Sequence, residues 1–543
     1  MRTVIDRRRS DPSFRIVHPG VRHDRLVIDC IVVGAGHNGL VTAAYLARAG
    51  YRVLVLEAGE RVGGAAVSAE LFPGVEARLS KYSYLVSLLP KKITEDLQID
   101  VPLARRRIAS YTPNPADPSR GLLIPSDDSV GVRNGICAFT GSDDQAAAWR
   151  DFYKRTEAIA ATVFPSLTEP LMSRDDMKAQ VDDGDWHDFM ERPLGEVLER
   201  TFDDDVLRGV VLTDGLIGTF ADAHDPSLQQ NICFLYHVIG QGTGQWDVPI
   251  GGMGAITSQL ADRIRDAGGE IRIGSEVVAI SDDGAVVTVT VREGDAEQTL
   301  TARAVAATCA PAILERLRGR AVDPVSELDG GAQIKVNMLL SRLPRLLDDS
   351  VDPRDAFSGT FHINETYSQL SRAYAEADAG RLPRPLPAEI YCHSLSDPSI
   401  LSADLQDRGV QTLTLFGLNT PHALFEDGGI DRATVLDAVY STLDSVLAEP
   451  IADCLLSDVN GEPCIEVNTT VDIQRDLRIP TGNIFHTPLE WPWTDDPDRV
   501  GTWGVETDSP RIVICGSGAV RGGGVSGVPG HNAAQYLLEH LAG

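Results

Sequence analysis

The chain has 543 residues, more than one hydrophobic core normally serves, and its 43% hydrophobic and 23% charged residues sit in the soluble range, so two domains are expected. Its 78 acidic against 49 basic residues give a formal net charge of -29, which repels phosphate backbones and argues against nucleic acid as a partner. No stretch approaches the run of about twenty apolar residues that an integral membrane segment requires. The eight cysteines lack zinc or redox-dithiol spacing, so no metal is expected and a cytoplasmic location fits, peripheral membrane association included.

Residues 1–26 carry Arg7, Arg8, Arg9, Arg15, Arg22 and Arg25 without an apolar signal core, and read as an N-terminal extension. Val27 to Val33 is nearly all apolar and β-branched. Gly34-Ala35-Gly36-His37-Asn38-Gly39 follows at once, and Leu40 to Ala49 holds helix formers until Gly50: strand, tight turn, helix. A second strand, Arg52 to Leu56, ends in Glu57, completing a β-α-β unit that predicts a Rossmann-like dinucleotide site. The glycines Gly34, Gly36 and Gly39 serve the turn, the backbone's approach to a pyrophosphate and helix-on-strand packing, and Glu57 would accept hydrogen bonds from ribose hydroxyls. His37 and Asn38 lie inside that turn; the imidazole either touches the pyrophosphate or is a tolerated filler.

From about Asp100 to Gln245 long amphipathic stretches such as Gln145 to Val163 predict a mostly helical insertion. Pro249 to Gly254 opens a helix to Ala267, followed by extended chain to Ile280 and two alternating strands, Ala285 to Val291 and Gln298 to Ala307. Strand-like runs at Gln333 to Leu340, Glu389 to Cys392 and Gln411 to Gly417, with a helix at Ala433 to Ala448, predict a second sheet. Arg511 to Cys515 reads as another buried strand before Gly516-Ser517-Gly518, a glycine-dense stretch and a closing helix. The expected division is therefore an α/β chain with a discontinuous nucleotide domain at 27–100, 245–322 and 478–543, and a mixed-sheet plus helices substrate domain at 101–244 and 323–477.

After Glu57, the run Ala58, Arg61, Gly63, Gly64 and Ala65 resembles the FAD-dependent amine oxidase and phytoene desaturase superfamily. Glu276-Val277 and Gly516 to Gly527 resemble the same superfamily's later flavin segments. Through Gly34 to Gly39, Gly482 to His486 and Gly522 to Gly527 the chain is most similar to the branch of pyridine nucleotide-disulfide oxidoreductase domain-containing protein 2. The resemblance implies a glutathione reductase type 2 flavoprotein fold and non-covalent FAD held by the residues above with Val277, Gly516, Gly518, Gly524 and Val525. The one other G-x-G-x-x-G, Gly522 to Gly527, falls inside the flavin segment that the resemblance assigns, and there is no dithiol, so a pyridine nucleotide domain is not expected and electrons would pass to oxygen or a quinone.

For catalysis, Lys335 in Gln333-Ile334-Lys335-Val336-Asn337 is placed like the amine oxidase lysine that holds a water near the flavin; otherwise it is a lysine on the solvent face of a strand. His486 precedes the segment that in the family walls the substrate cavity, where Trp491 and Trp493 either stack on a planar substrate or simply pack. The expected enzyme removes a hydride from a small, hydrophobic substrate, with carbon-carbon desaturation first, amine oxidation or redox-neutral flavin work as alternatives, and a purely structural FAD last. A homo-oligomer is compatible with the sequence.

Overall fold

The computed structural model describes residues 28–322 and 330–542, so the arginine-rich leader lies outside the described residues. In chain order the strands of the two large sheets are β1 (Ile28–Val33), β2 (Val53–Leu56), β3 (Ile108–Asn114), β4 (Asp117–Pro125), β5 (Glu270–Arg272), β6 (Glu276–Asp282), β7 (Val287–Glu293), β8 (Ala296–Ala307), β9 (Ile334–Leu340), β10 (Thr360–Ile363), β11 (Ala388–Tyr391), β12 (Gln411–Gly417), β13 (Ile465–Asn468) and β14 (Ile512–Ile514). Four helices matter below: α1 (His37–Arg48), α2 (Asp143–Ser166), α3 (Gly254–Asp266) and α4 (Val528–Leu541).

The first sheet has the order β6-β7-β8-β1-β2-β5, with β14 also on β8. Its central strands β5, β2, β1, β8 and β14 are parallel, while β6, β7 and β8 form an antiparallel meander. A parallel sheet needs cover on both faces, which is why β1 is apolar at consecutive positions; Cys30, Ile31 and Val32 are all fully buried. Helices α1, α3 and α4 share one hydrophobic cluster on one face. Thr42 of α1 donates its hydroxyl to the Gly530 carbonyl of α4 at 3.0 Å.

The second sheet runs β13-β9-β12-β11-β10-β3-β4. The 101–244 segment is mostly helical, as read from sequence, but it opens with a hairpin, β3-β4, that extends this sheet before the helices begin. Its strand signal is broken by Pro113, Pro118 and Pro125; the last two are tolerated because β4 is an edge strand, and Pro113 because it lies past the Ser110 and Tyr111 pairing of β3 with β10. The helical part then follows: α2 is capped by the Ser142 hydroxyl on Gln145 N, and its Trp149, Phe152, Ile159 and Val163 recur on one buried face.

One tie between these parts lies in the C-terminal glycine-rich segment. Arg521, 1% exposed, donates from Nη1 to the carbonyls of Ser166 and Glu169 at 3.0 and 2.5 Å and from Nη2 to that of Trp503 at 2.8 Å. Burial lowers its pKa only to about 10, so it stays charged at neutral pH. Arg521→Met is expected to orphan three buried carbonyls and to cost about 3 kcal/mol, read as a lower denaturant midpoint with an unchanged flavin spectrum per folded molecule.

Candidate active site

The chain leaves β1 at Val33 and enters α1 through Gly36, whose helix N-terminus has no side-chain cap and no acidic residue in its first turn. Its leading N–H groups are therefore left for a ligand, in the field of the helix dipole. Gly39 is required by space: a Cβ there would lie 2.4 Å from the Gly34 carbonyl oxygen. Gly36 differs, since a Cβ there would meet nothing within 4 Å and would project into an open cleft that Gly36 lines. The loop after β2 closes against this turn, with Gly63 N donating to Ala35 O at 2.8 Å and Gly64 in the left-handed region at φ 56.

Glu57 holds the turn rather than hanging free. Its Oε2 accepts from Ala35 N and its Oε1 from Gly59 N, both at 2.7 Å. The cleft, about 570 Å³, runs from Gly34, Gly36, Glu57, Ala58 and Val277 past Gly64, Ala65, Gly516, Gly524 and Val525 to Lys335 and Phe416. Of the residues expected at the cofactor, Gly39, Gly63 and Gly518 sit behind this wall, and Arg61 is exposed and off it. Arg475 and Arg478, which the sequence reading missed, also line the cleft. Four side chains lining it carry buried polar atoms with no protein partner: His37 Nε2, Asn38 Oδ1, Gln333 Oε1 and His486 Nδ1. Buried polar atoms cost free energy unless a ligand or water pairs them, so an uncapped helix end, a glycine cradle and these orphans fit a bound FAD.

His37 is buried and His486 half-buried, and both are neutral at pH 7. Burial, and then the repulsion the two imidazoles would feel if both were protonated, pushes His37 down to about 4, and burial alone takes His486 to about 4. Lys335 is 2% exposed, which rules out a solvent face, and it lines the cleft. Its Nζ donates to Ser80 O at 2.6 Å and Ser83 O at 2.9 Å and lies 5.1 Å from the Phe416 ring centre. Burial holds its pKa well below the ordinary lysine range.

Register makes Lys335 part of a row. Lys335 of β9 pairs with Phe416 of β12, Phe416 with Glu389 of β11, and Glu389 with His362 of β10. Side chains alternate across a strand, so the flanking Ile334, Val336, Leu415, Ile390, Phe361 and Ile363 all point to the opposite, apolar face.

Beyond Phe416 the cleft abuts a second cavity of about 1120 Å³; Tyr84, His237 and Trp246 line both. The Tyr84 ring lies 4.5 Å from Phe416 and 4.6 Å from Tyr391 by centroids and stacks on Trp246 at 6.3 Å. Asp214, Glu389, His362 and Arg106 also face the second cavity. Burial, then the Glu389 charge, pushes the Asp214 carboxyl up to about 8. Glu389 Oε2 accepts from the Tyr391 hydroxyl at 2.5 Å and Glu365 Oε2 meets His362 Nδ1 at 2.6 Å. His362, Glu365 and Glu389 lie close enough to share an ion, a grouping that the cysteine-based reading of metals did not consider.

Trp491 and Trp493 are not part of either cavity, and their assignment to substrate is corrected. They stack on each other at 5.0 Å, and Trp493 packs 4.9 Å from the fully buried Trp186, because the helical layer offers these indoles a dry partner. The aromatic wall is built instead from Tyr84, Trp246, Tyr391 and Phe416.

Residues 39–383 match the family model described as flavin containing amine oxidoreductase. An uncharacterized protein of Mycobacterium tuberculosis is 51% identical over 535 residues, covering 96% of this chain and 98% of its own length. The mouse pyridine nucleotide-disulfide oxidoreductase domain-containing protein 2 is 29% identical over 572 residues, covering 94% of each. Among solved structures, a putrescine oxidase redesigned in its cofactor binding superposes with a TM-score of 0.55 at 16% identity, covering 95% of this chain and 99% of that one; it shares the fold.

Proposed function

The chain belongs to the flavin containing amine oxidoreductase family and is an FAD-dependent oxidoreductase, and from that premise we propose that it removes a hydride from the carbon beside a nitrogen in a small substrate. One observation carries this reading. The wall between cleft and cavity is aromatic and ionisable, with Lys335, Phe416, Glu389 and His362 in one cross-strand row. Tyrosine, tryptophan and phenylalanine faces with nearby carboxylates favour nitrogen-bearing groups; a hydrocarbon gains nothing from buried acids, so the desaturation first expected from sequence takes second place.

FAD, when bound, supplies the two-electron acceptor. His37, Asn38, Gln333 and His486 offer it their unpaired polar atoms, and the uncapped α1 N-terminus offers backbone N–H groups to its phosphates. Lys335, whose charged form burial disfavours, donates to the Ser80 and Ser83 carbonyls, which in the deprotonated amine would engage both hydrogens. Its lone pair is thereby left to accept a proton or hold a water. Tyr84, Phe416 and Trp246 exclude water from the space between.

The test is an anaerobic screen of the holoenzyme against amines, lipophilic alkenes and cyclic ketones, followed by admission of air or a quinone. Bleaching of the flavin by amines, with hydrogen peroxide on exposure to air, is expected. Bleaching by alkenes alone would restore desaturation, and activity only with prereduced flavin would point to redox-neutral chemistry.

A further inference from the structure

Asn337 stands two residues beyond Lys335 on β9, so its side chain leaves the same face of the strand. It is 0% exposed and lines neither the cleft nor the second cavity. Its carboxamide is engaged at both ends: Nδ2 donates to Lys81 O and to Glu466 Oε2, both at 3.1 Å, and Oδ1 accepts from the Thr414 hydroxyl at 3.3 Å. These partners fix which way the amide points, because a reversed group would set its oxygen against two acceptors. Glu466 is steadied in turn by Nδ2 of Asn468 at 3.0 Å, and Asn468 is the residue of β13 that pairs with Lys335.

The Lys81 carbonyl falls, in chain order, between the two carbonyls that receive the Lys335 amine, those of Ser80 and Ser83. Lys335 and Asn337 thus grip three carbonyls of one irregular loop from one strand. The loop also borders the cofactor: Tyr82, Ser83 and Tyr84 line the cleft, and the Ser83 hydroxyl donates at 2.9 Å to the carbonyl of Ala65, another cleft residue. Lys81 N donates to Val67 O at 3.2 Å. Lys81 Nζ and the Tyr82 hydroxyl reach Asp476 at 3.2 and 3.0 Å, but they do so at the surface, where such contacts contribute little. Asn337 supplies the side-chain tie that solvent does not reach.

We propose that Asn337 is a positioning residue for the reaction: through the Lys81 carbonyl it sets the loop so that the Ser80 and Ser83 carbonyls hold the Lys335 amine at one place on the cleft wall. The inference rests on the role given to Lys335 above and adds the residue that acts through it. A lysine stem is long and flexible, so its amine is placed by what it donates to. Two carbonyls on an irregular loop give a fixed direction only while the loop is itself fixed. A shift of about 1 Å in a reacting group costs on the order of a hundredfold in rate.

The test is a double-mutant cycle on the FAD-loaded enzyme with Asn337→Leu, which keeps the side-chain volume and removes the donors, and Lys335→Met. The half-reaction followed is the one that Lys335→Met slows, either reduction of the flavin by hexylamine or reoxidation by oxygen of the dithionite-reduced enzyme. Asn337→Leu alone is expected to keep the wild-type flavin spectrum and to slow that step roughly ten- to a hundredfold. Added to Lys335→Met it should slow the step by less than about twofold, because residues that act through one another are not additive. Equal losses in the two backgrounds would make Asn337 a purely structural residue and overturn the proposal, as would an unchanged rate in Asn337→Leu. Where Asn337→Leu does not fold, Asn337→Ser, which is smaller than the residue it replaces, carries the same cycle with the same two outcomes. The two inferences separate cleanly: a Lys335→Met enzyme with both half-reactions unchanged sinks the role of Lys335 and this proposal together, whereas a slow Lys335→Met beside a wild-type-like Asn337→Leu sinks this proposal alone.

Discussion

Gly36→Val is expected to give a folded, colourless protein. Most glycines in such turns are held by crowding, as Gly39 is by the Gly34 carbonyl, and a side chain there breaks the fold. Gly36 has φ -68 and ψ 165, ordinary extended backbone for any residue, and nothing within 4 Å of a would-be Cβ. The only thing a valine displaces is whatever occupies the cleft over the α1 N-terminus. Visible absorbance of the purified variant should fall at least tenfold relative to wild type, with far-UV circular dichroism unchanged and little recovery on adding FAD. A yellow Gly36→Val protein would remove the phosphate-binding turn from its assigned place.

Lys335→Met should keep the flavin and lose turnover. The side chain faces the cleft but is held by the Ser80 and Ser83 carbonyls, so a methionine of similar length fills the space without a proton acceptor. Loss of a positioned base or water holder typically costs about 10²- to 10⁴-fold, and stopped-flow measurement of flavin reduction and reoxidation would show which half-reaction slows. Unchanged rates in both would strip Lys335 of its role. The same variant makes a second prediction through linkage. The folded-state pKa of Lys335 is depressed, so between that value and about 10.4 the unfolded chain binds more protons than the folded one. Wild-type stability from this group therefore rises with pH across that window. The advantage of Lys335→Met over wild type in denaturant melts should be largest near neutral pH and shrink toward pH 10.

The nucleotide end of the molecule was legible in the sequence because it is local. Strand, glycine turn, helix and Glu57 fall within thirty residues, and spacing alone dictates their chemistry. The closing strand and helix were readable for the same reason, as an apolar run followed by glycines. The aromatic and acidic wall was not, because it depends on register between strands separated by tens of residues. A trace of it was present. Ile334-Lys335-Val336, Phe361-His362-Ile363 and Ala388-Glu389-Ile390 each set one ionisable residue between apolar ones, the pattern of a buried strand turning a single polar side chain toward a site. Trp491 and Trp493 misled because an indole that packs and an indole that binds look identical in sequence; only Trp186, some three hundred residues away, decides between them. The β3-β4 hairpin was masked by its prolines.

The pairing of β14 with β8, and of α4 with α1, sets an order of events during synthesis. The phosphate-binding turn is translated some 480 residues before β14, which joins its sheet through β8, and before the helix α4 that braces α1. Domains generally fold as they leave the tunnel, but here the nascent chain must keep β1 and α1 waiting while the entire second sheet is translated. The cleft is thus walled jointly by early-translated Gly34 and Gly36 and late-translated Gly516, Gly524 and Val525, so its enclosure waits on residues made long after the turn itself.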